Sequence, residues 1–356
     1  MVRNDPSRFA HVRRLVREAV DRQAFPCATL EVGCSDGIHL QVACGAQTYE
    51  PSSAAATMDT VFDLASLTKV VATTTILMEL VDHGRISLGD PVRRWSPWWQ
   101  GDDRRTVTVA DLLEHASGLT AHLPFYRDHT GRADFEHAIA TLPLEYPPRT
   151  RSIYSDLGFI LLGFLAADAA EGLGLDTRFS ATAKRLALGD IRYRPPSDWR
   201  PRIAPTEVEP WRGRLLRGEV HDENGWALGG IAGHAGLFGT APAVGRFAQA
   251  VLQTLGGRPR LARPATLSRF LTPTRVPGSS RALGWDTMRP TSSCGRRLSP
   301  DAVGHTGFTG TSLWIDPRQD LYVVLLTNRV HPTRTNEAIL AFRPMLHDAV
   351  VEAVTS

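Results

Sequence analysis

Near the start of the chain, apolar side chains fall on every second position in two neighbouring stretches, Ala28-Thr29-Leu30-Glu31-Val32 and Ile38-His39-Leu40-Gln41-Val42. That period is the signature of strands, and Ser35-Asp36-Gly37 between them supplies turn residues, so a β-hairpin is predicted. Ahead of it, Val12, Leu15, Val16, Ala19 and Val20 recur among arginines and a glutamate with the spacing of an amphipathic helix. Strand patterning returns towards the other end in Ser312-Leu313-Trp314-Ile315 and Leu321-Tyr322-Val323-Val324-Leu325-Leu326, separated by Asp316-Pro317-Arg318-Gln319-Asp320. A last helix is expected over 345–354.

Between these ends the pattern is helical. Residues 67–83 are dense in apolar positions and stop at Gly84, a residue suited to a left-handed helix cap, so a buried helix is predicted there. Thr108-Val109-Ala110-Asp111 has the form of a capping box opening a short helix that stops near Gly118. A further helix is expected from Asp156 through Phe159, Ile160, Leu161, Leu162 and Leu165 towards Gly172. The stretch 192–217 carries Pro195, Pro196, Pro201 and Pro205 and reads as an extended loop, and 237–255 reads as helical. Strands at both ends with helices between them imply an α/β fold. Its sheet domain is drawn from 1–84 and 218–356, and 85–217 forms a mainly helical insertion domain.

Composition narrows the function. With 356 residues and 42% hydrophobic content the chain can bury a large core. A net charge of +3 with arginines scattered along the sequence leaves neither a nucleic-acid footprint nor a membrane-surface patch, so the expected partner is a small-molecule or peptide substrate. No feature sets an oligomeric state. Cys27, Cys34, Cys44 and Cys294 have no C-x-x-C spacing and suit reduced thiols. The first residues lack a secretory apolar core, and no segment approaches a transmembrane span, so a cytoplasmic location is expected. There is no H-E-x-x-H and no tight cluster among the twelve histidines, so no metal is expected. The glycine-rich 229–236 is not a G-x-G-x-x-G and opens no βαβ unit, so no nucleotide cofactor is expected either.

Candidate chemistry starts from lysine usage. Of the 40 basic residues only Lys69 and Lys184 are lysines, and Lys69 stands three residues after Ser66 at the start of the predicted buried helix. Arginine stays protonated, whereas a desolvated lysine can give up its proton and act as a base. Residues three apart share a helical face, which puts the Ser66 hydroxyl beside the Lys69 amine near the positive end of the helix dipole. This is the arrangement of an activated nucleophile.

Two more motifs follow in order: Tyr154-Ser155-Asp156 at the entry to the second helix, and His305-Thr306-Gly307 before the terminal strand pair. With Ser66-x-x-Lys69 they resemble the signature of the penicillin-recognising serine hydrolases, which comprise class C β-lactamases, D-alanyl-D-alanine carboxypeptidases and related esterases. Segments 112–119, 154–159, 235–240 and 304–310 extend the resemblance over most of the chain. It implies a β-lactamase-like fold with an antiparallel sheet flanked by helices, and a catalytic set of Ser66, Lys69 and Tyr154. Ser66 would form an acyl-enzyme, Lys69 and Tyr154 would pass its proton to the leaving group, and Tyr154 would later activate water. The backbone N–H groups of Ser66 and Phe308 would form the oxyanion hole. Asp156, His305, Thr306, Gly307 and Phe308 would meet the substrate, with Gly307 letting it approach the strand closely.

The chain departs from the family pattern twice. His305 replaces a lysine and makes the positive charge conditional, which argues against an efficient β-lactamase. Asp156 replaces an asparagine; if ionised, it would favour the ammonium form of Lys69 and shift proton transfer towards Tyr154, with the phenol acidified by Lys69. Asp222 and Glu223, in Val220-His221-Asp222-Glu223-Asn224, either read a cationic substrate group at the cleft or cap a helix and pair with local arginines. The expected activity is hydrolysis of carboxylic esters or of cell-wall-derived peptides and muropeptides. The alternatives are a true β-lactamase or D-alanyl-D-alanine carboxypeptidase, and a penicillin-binding sensor that acylates without turnover.

Overall fold

In the computed structural model, which describes residues 8–355, the predicted opening elements are α1 (Ala10–Asp21) and the hairpin β1 (Cys27–Gly33) and β2 (Ile38–Gly45). A short strand β3 (Phe62–Asp63) leads into the buried helix, which runs through a π-helical segment (Lys69–Thr74) into α2 (Thr75–Asp82) and ends before Gly84 at φ +68°. The helical middle follows as α3 (Val109–Leu113), α4 (Gly131–Thr141), α5 (Asp156–Ala169) and α6 (Leu175–Arg185). Then come β4 (Ile191–Tyr193), β5 (Val208–Glu209), β6 (Arg214–Leu215), α7 (Glu223–Ala227), β7 (Leu237–Gly239), α8 (Ala241–Leu255) and α9 (Pro264–Leu271). The chain closes with β8 (Asp286–Thr287), β9 (Val303–Thr306), β10 (Ser312–Asp316), β11 (Leu321–Thr327) and α10 (Ala338–Thr355).

The strands from the two ends meet in one six-stranded sheet of order β2-β1-β11-β10-β9-β8, with every pairing antiparallel. Leu30 stands opposite Leu325 in the central pair. Because side chains alternate, Val323 and Leu325 face a core shared with α1 and α10, while Val324 and Leu326 face the larger core that holds α8. Both faces of β1 are therefore buried, including Glu31, whose carboxylate accepts from Gln41 Nε2 at 2.7 Å and from the Tyr322 hydroxyl at 3.0 Å. Burial pushes the Glu31 pKa up.

The structure corrects three sequence expectations. Residues 237–239 form a strand between β3 and β4, and helix α8 starts only after Thr240, whose Oγ accepts the Ala243 N–H at 3.3 Å. Pro242 fits that first turn because its missing N–H would have no intrahelical partner there. The stretch 192–217 is not a plain loop: it contains a 3₁₀ turn (Ser197–Arg202) and the β5–β6 pair. The last helix begins at Ala338 rather than 345 and continues through Pro344, held by Ile339, Phe342 and Leu346 packed against the sheet on either side of it. The capping box at Thr108 is present as predicted, with Asp111 N–H to Thr108 Oγ at 3.3 Å and Thr108 N–H to Asp111 Oδ2 at 2.8 Å. Among the described residues no helix is long and apolar enough to cross a membrane.

Candidate active site

Ser66 sits on a strained turn. The residue before it, Ala65, has φ +46°, a conformation that a Cβ disfavours and that persists only when surrounding contacts enforce it. Asp63 supplies those contacts: its Oδ1 accepts the Ala65 N–H at 2.8 Å and its Oδ2 the His221 N–H at 2.7 Å. Burial pushes the Asp63 carboxyl pKa up, and these two N–H groups oppose it. Asp63 thus ties the Ser66 turn to the 220–224 loop, a role no local motif announced.

From that turn the helix starts with i→i−3 bonds, including Lys69 N–H to Ser66 O at 3.0 Å, and then widens into the π segment. The Lys69 side chain is fully buried, and its Nζ donates to Ser66 Oγ at 2.8 Å and to His234 O at 3.1 Å, while Asp156 Oδ1 lies 2.7 Å away. The first two contacts are hydrogen bonds and the third is a close ion pair. Burial alone would lower the Lys69 pKa, but the Asp156 carboxylate reverses this and holds it above the ordinary lysine value. Lys69 is therefore an ammonium at rest.

Tyr154 and Asp156 are placed by the start of α5. Ser155 caps that helix, its Oγ accepting the Gly158 N–H at 3.3 Å and donating to Thr120 O at 2.7 Å, and its N–H donates to His115 Nδ1 at 3.0 Å. The half-buried Tyr154 ring packs on His115, with centroids 4.7 Å apart, and lies 4.9 Å from Lys69 Nζ. Its hydroxyl is within reach of both Lys69 and Ser66. The expectation of a phenol acidified by Lys69 is corrected: burial raises its pKa more than Lys69 lowers it, so Tyr154 too is protonated at rest.

The third motif closes the site from the sheet side. β9 ends at Thr306, paired with Ser312, and the following turn docks on the Ser66 turn through Thr309 Oγ to Asp63 O at 2.7 Å and Thr311 Oγ to Leu64 O at 3.0 Å. A Cβ on Gly307 would lie 2.1 Å from Thr311 Oγ and 2.6 Å from Leu64 O. The approach of the two turns by itself leaves no room for a side chain at this position. Among the described residues, neither the Ser66 nor the Phe308 backbone N–H is used in a hydrogen bond.

A cavity of about 680 Å³ opens over Ser66, bordered by Tyr154, Asp156 and the His305-Thr306-Gly307-Phe308 turn. His305 does not supply a positive charge. Burial, then Arg281 and Lys69, hold its pKa well below the ordinary histidine value, and its Nδ1 faces Thr306 O at 2.8 Å, which fits a neutral ring donating from Nδ1. A cation beside Tyr154 is Arg281, whose guanidinium borders the cavity 5.0 Å from the Tyr154 ring centroid and 3.9 Å from Asp286; Arg329, Arg334 and Arg343 border the same cavity. Sequence reading missed Arg281 because it is one scattered arginine, distant in the chain from all three motifs. Asp222 and Glu223 border the same cavity and also serve locally. Asp222 caps α7 through the Gly225 N–H at 2.7 Å and meets His234 Nε2 at 2.7 Å, and Glu223 pairs with Arg334 at 2.8 Å.

This fold and this constellation define a serine hydrolase of the penicillin-recognising type. The Beta-lactamase family model matches residues 12–343, and the chain belongs to that family. It is 32% identical, over 88% of its length and 81% of the relative's, to a putative D-alanyl-D-alanine carboxypeptidase of Salmonella gallinarum. Among solved structures it is similar to EstCE1, a hydrolase with promiscuous acyltransferase activity (TM-score 0.72, 20% identity, covering 94% of this chain and 98% of that one). It is also similar to the simvastatin synthase LovD from Aspergillus terreus (TM-score 0.73, 18% identity, covering 97% and 98%).

Proposed function

We propose that Ser66 takes the acyl group of an ester or amide whose leaving side carries a carboxylate, as a D-alanyl peptide does, and that water then releases it. The observation that carries this reading is Arg281: its guanidinium borders the cavity beside Tyr154, 5.0 Å from the ring centroid. The relatives named as putative D-alanyl-D-alanine carboxypeptidases agree with it.

At rest the proposed machinery is a carboxylate at Asp156, an ammonium at Lys69 and a phenol at Tyr154. The Lys69–Tyr154 pair must lose one proton before it can accept that of Ser66, and the two groups titrate as a unit. Ser66 Oγ then bonds to the substrate carbonyl carbon and its proton passes to the pair. The developing oxyanion accepts from the free N–H groups of Ser66 and Phe308. Collapse breaks the bond to the leaving group, which takes the proton from the pair. A water then gives one proton to the pair through Tyr154 as its oxygen bonds to the acyl carbon; collapse breaks the bond from that carbon to Ser66 Oγ, which takes the proton back from the pair. The four free cysteines support a reducing, cytoplasmic setting for this chemistry.

The test is intact-mass detection of a Ser66 adduct together with turnover of matched substrates, D-alanyl peptides and their C-terminal amides. Arg281→Met is expected to lower kcat/KM for the carboxylates roughly tenfold or more and to leave the amides nearly unchanged. Equal losses on both would remove Arg281 from substrate recognition. Labelling without turnover would make the protein a sensor.

A further inference from the structure

Arg343 is nearly buried, at 5% exposure, on α10, yet among the described residues no carboxylate pairs with it. Its Nη2 donates instead to two backbone carbonyls, Gly307 O at 3.1 Å and Thr311 O at 2.9 Å. Burial pushes its pKa down only to about 10, so the group is charged in the working range. Burying an arginine without a counter-ion is expensive, and bracing a turn needs only a neutral donor. The position of the charge identifies what it does. Gly307 O belongs to the same peptide unit as the Phe308 N–H, and in a planar trans peptide the two point in opposite directions. Gly307 N–H in turn donates to Thr311 O at 2.7 Å, and Gly310 N–H to Gly307 O at 3.1 Å, so Arg343 bridges the two ends of the 307–311 turn. On the far side of the next peptide, Arg329 Nε donates to Phe308 O at 2.9 Å.

We infer that Arg343 is a positioning residue for acyl transfer: its guanidinium on Gly307 O fixes the Gly307–Phe308 peptide so that the Phe308 N–H faces the cleft, and polarises that N–H into a stronger oxyanion donor. A charge-assisted hydrogen bond at one end of a peptide strengthens the donor at the other. The inference rests on the assignment of Ser66 as nucleophile with Phe308 N–H in its oxyanion hole, and it gives Arg343, which also borders the cavity, a role exerted through the peptide.

The test uses the full chain with Arg343→Gln, which keeps a donor without charge, and Arg343→Lys, which keeps the charge without the planar fork. Active sites are counted by Ser66 labelling, and kcat, KM and the affinity of a boronic acid that forms a tetrahedral Ser66 adduct are measured with a small neutral ester as substrate. Arg343→Gln is expected to lose roughly tenfold or more in kcat and to lose boronate affinity by the same factor, with KM little changed. Arg343→Lys is expected to recover part of both losses. A merely structural role would lower the melting temperature or the count of active sites but leave kcat per active site and boronate affinity within about twofold; that result overturns the inference, as does failure of both variants to fold. Absence of any Ser66 adduct in the unsubstituted protein would instead overturn the nucleophile assignment.

Discussion

At the scale of single residues, the site turns on where three protons reside. Ser66→Ala removes one hydroxyl and is expected to abolish labelling and turnover without changing the melting temperature. Lys69→Arg preserves charge but cannot give up a proton, so its kcat/KM should fall about a hundredfold or more, close to Lys69→Ala; retained activity would make Lys69 only a positive charge. Asp156 raises the Lys69 pKa, so activity should climb with pH as the Lys69–Tyr154 pair loses its proton. Asp156→Asn removes the largest raising influence and leaves the lowering effect of burial opposed only by Tyr154, so the acidic limb of kcat/KM should move to lower pH. A pH profile of the variant that superimposes on the parent's would place Asp156 outside the catalytic electrostatics. Ser66 and Lys69 were legible in the sequence because a three-residue spacing at a helix start determines their meeting, and Asp156 through the resemblance of the Tyr154-Ser155-Asp156 motif. Arg281 and Asp63 were not, because each acts on a partner brought near only by the finished fold. The neutrality of His305 was equally hidden, since it depends on burial and on Arg281 and Lys69 together.

At the scale of elements, period and capping chemistry located most helices and strands, and tertiary contacts decided the rest. The capping box at Thr108 and the start of a helix at Asp156 are written in neighbouring residues and were read correctly. The strand at Leu237–Gly239 was not, because three apolar-rich residues carry no period of their own and become a strand only by pairing with β3 and β4. The π segment at Lys69–Thr74 has the same character. Its apolar run reads as ordinary helix, while Thr75 Oγ to Val70 O at 3.1 Å and Thr73 Oγ to Gly233 O at 2.7 Å serve carbonyls within the segment and on the loop beside it. The contact of the Gly307 turn with the Ser66 turn yields a prediction at this scale. Gly307→Ala would drive a methyl group against Leu64 O, push the two turns apart and displace the Phe308 N–H from Ser66. Loss of one oxyanion donor costs about 10²–10³ in kcat. A folded Gly307→Ala protein with parental kcat would show that the turns can separate without harm to the chemistry.

At the scale of the whole molecule, antiparallel pairing of β1 with β11 joins the two ends of the chain into one sheet, and the cleft is then clamped by charges from distant loops. The sheet of joined ends could be anticipated from strand patterns at both termini. The clamp could not, because Arg334 lies more than a hundred residues from both Glu207 and Glu223 and its members belong to loops without a pattern. Its centre is the buried Glu207, which meets His221 Nε2 at 2.9 Å, Arg334 Nε at 2.7 Å and the Arg334 backbone N–H at 3.0 Å, while Arg334 also reaches Glu223. Burial alone would raise the Glu207 pKa, but these donors outweigh it and bring the carboxyl from 4.5 down to about 2. A folded value below the unfolded one means that the carboxylate contributes stability in full above pH 4.5 and that the contribution is lost as the pH falls towards 2. By the same linkage the contribution is on the order of 2–3 kcal/mol at neutral pH. Glu207→Gln keeps the shape and removes the charge, so it should be less stable by about that amount at pH 7. Its urea midpoint should also fall less steeply than the parent's between pH 4.5 and pH 2. Parallel midpoint curves for the two proteins across that window would show that the clamp does not hold the cleft, and that acid unfolding is governed by other carboxylates.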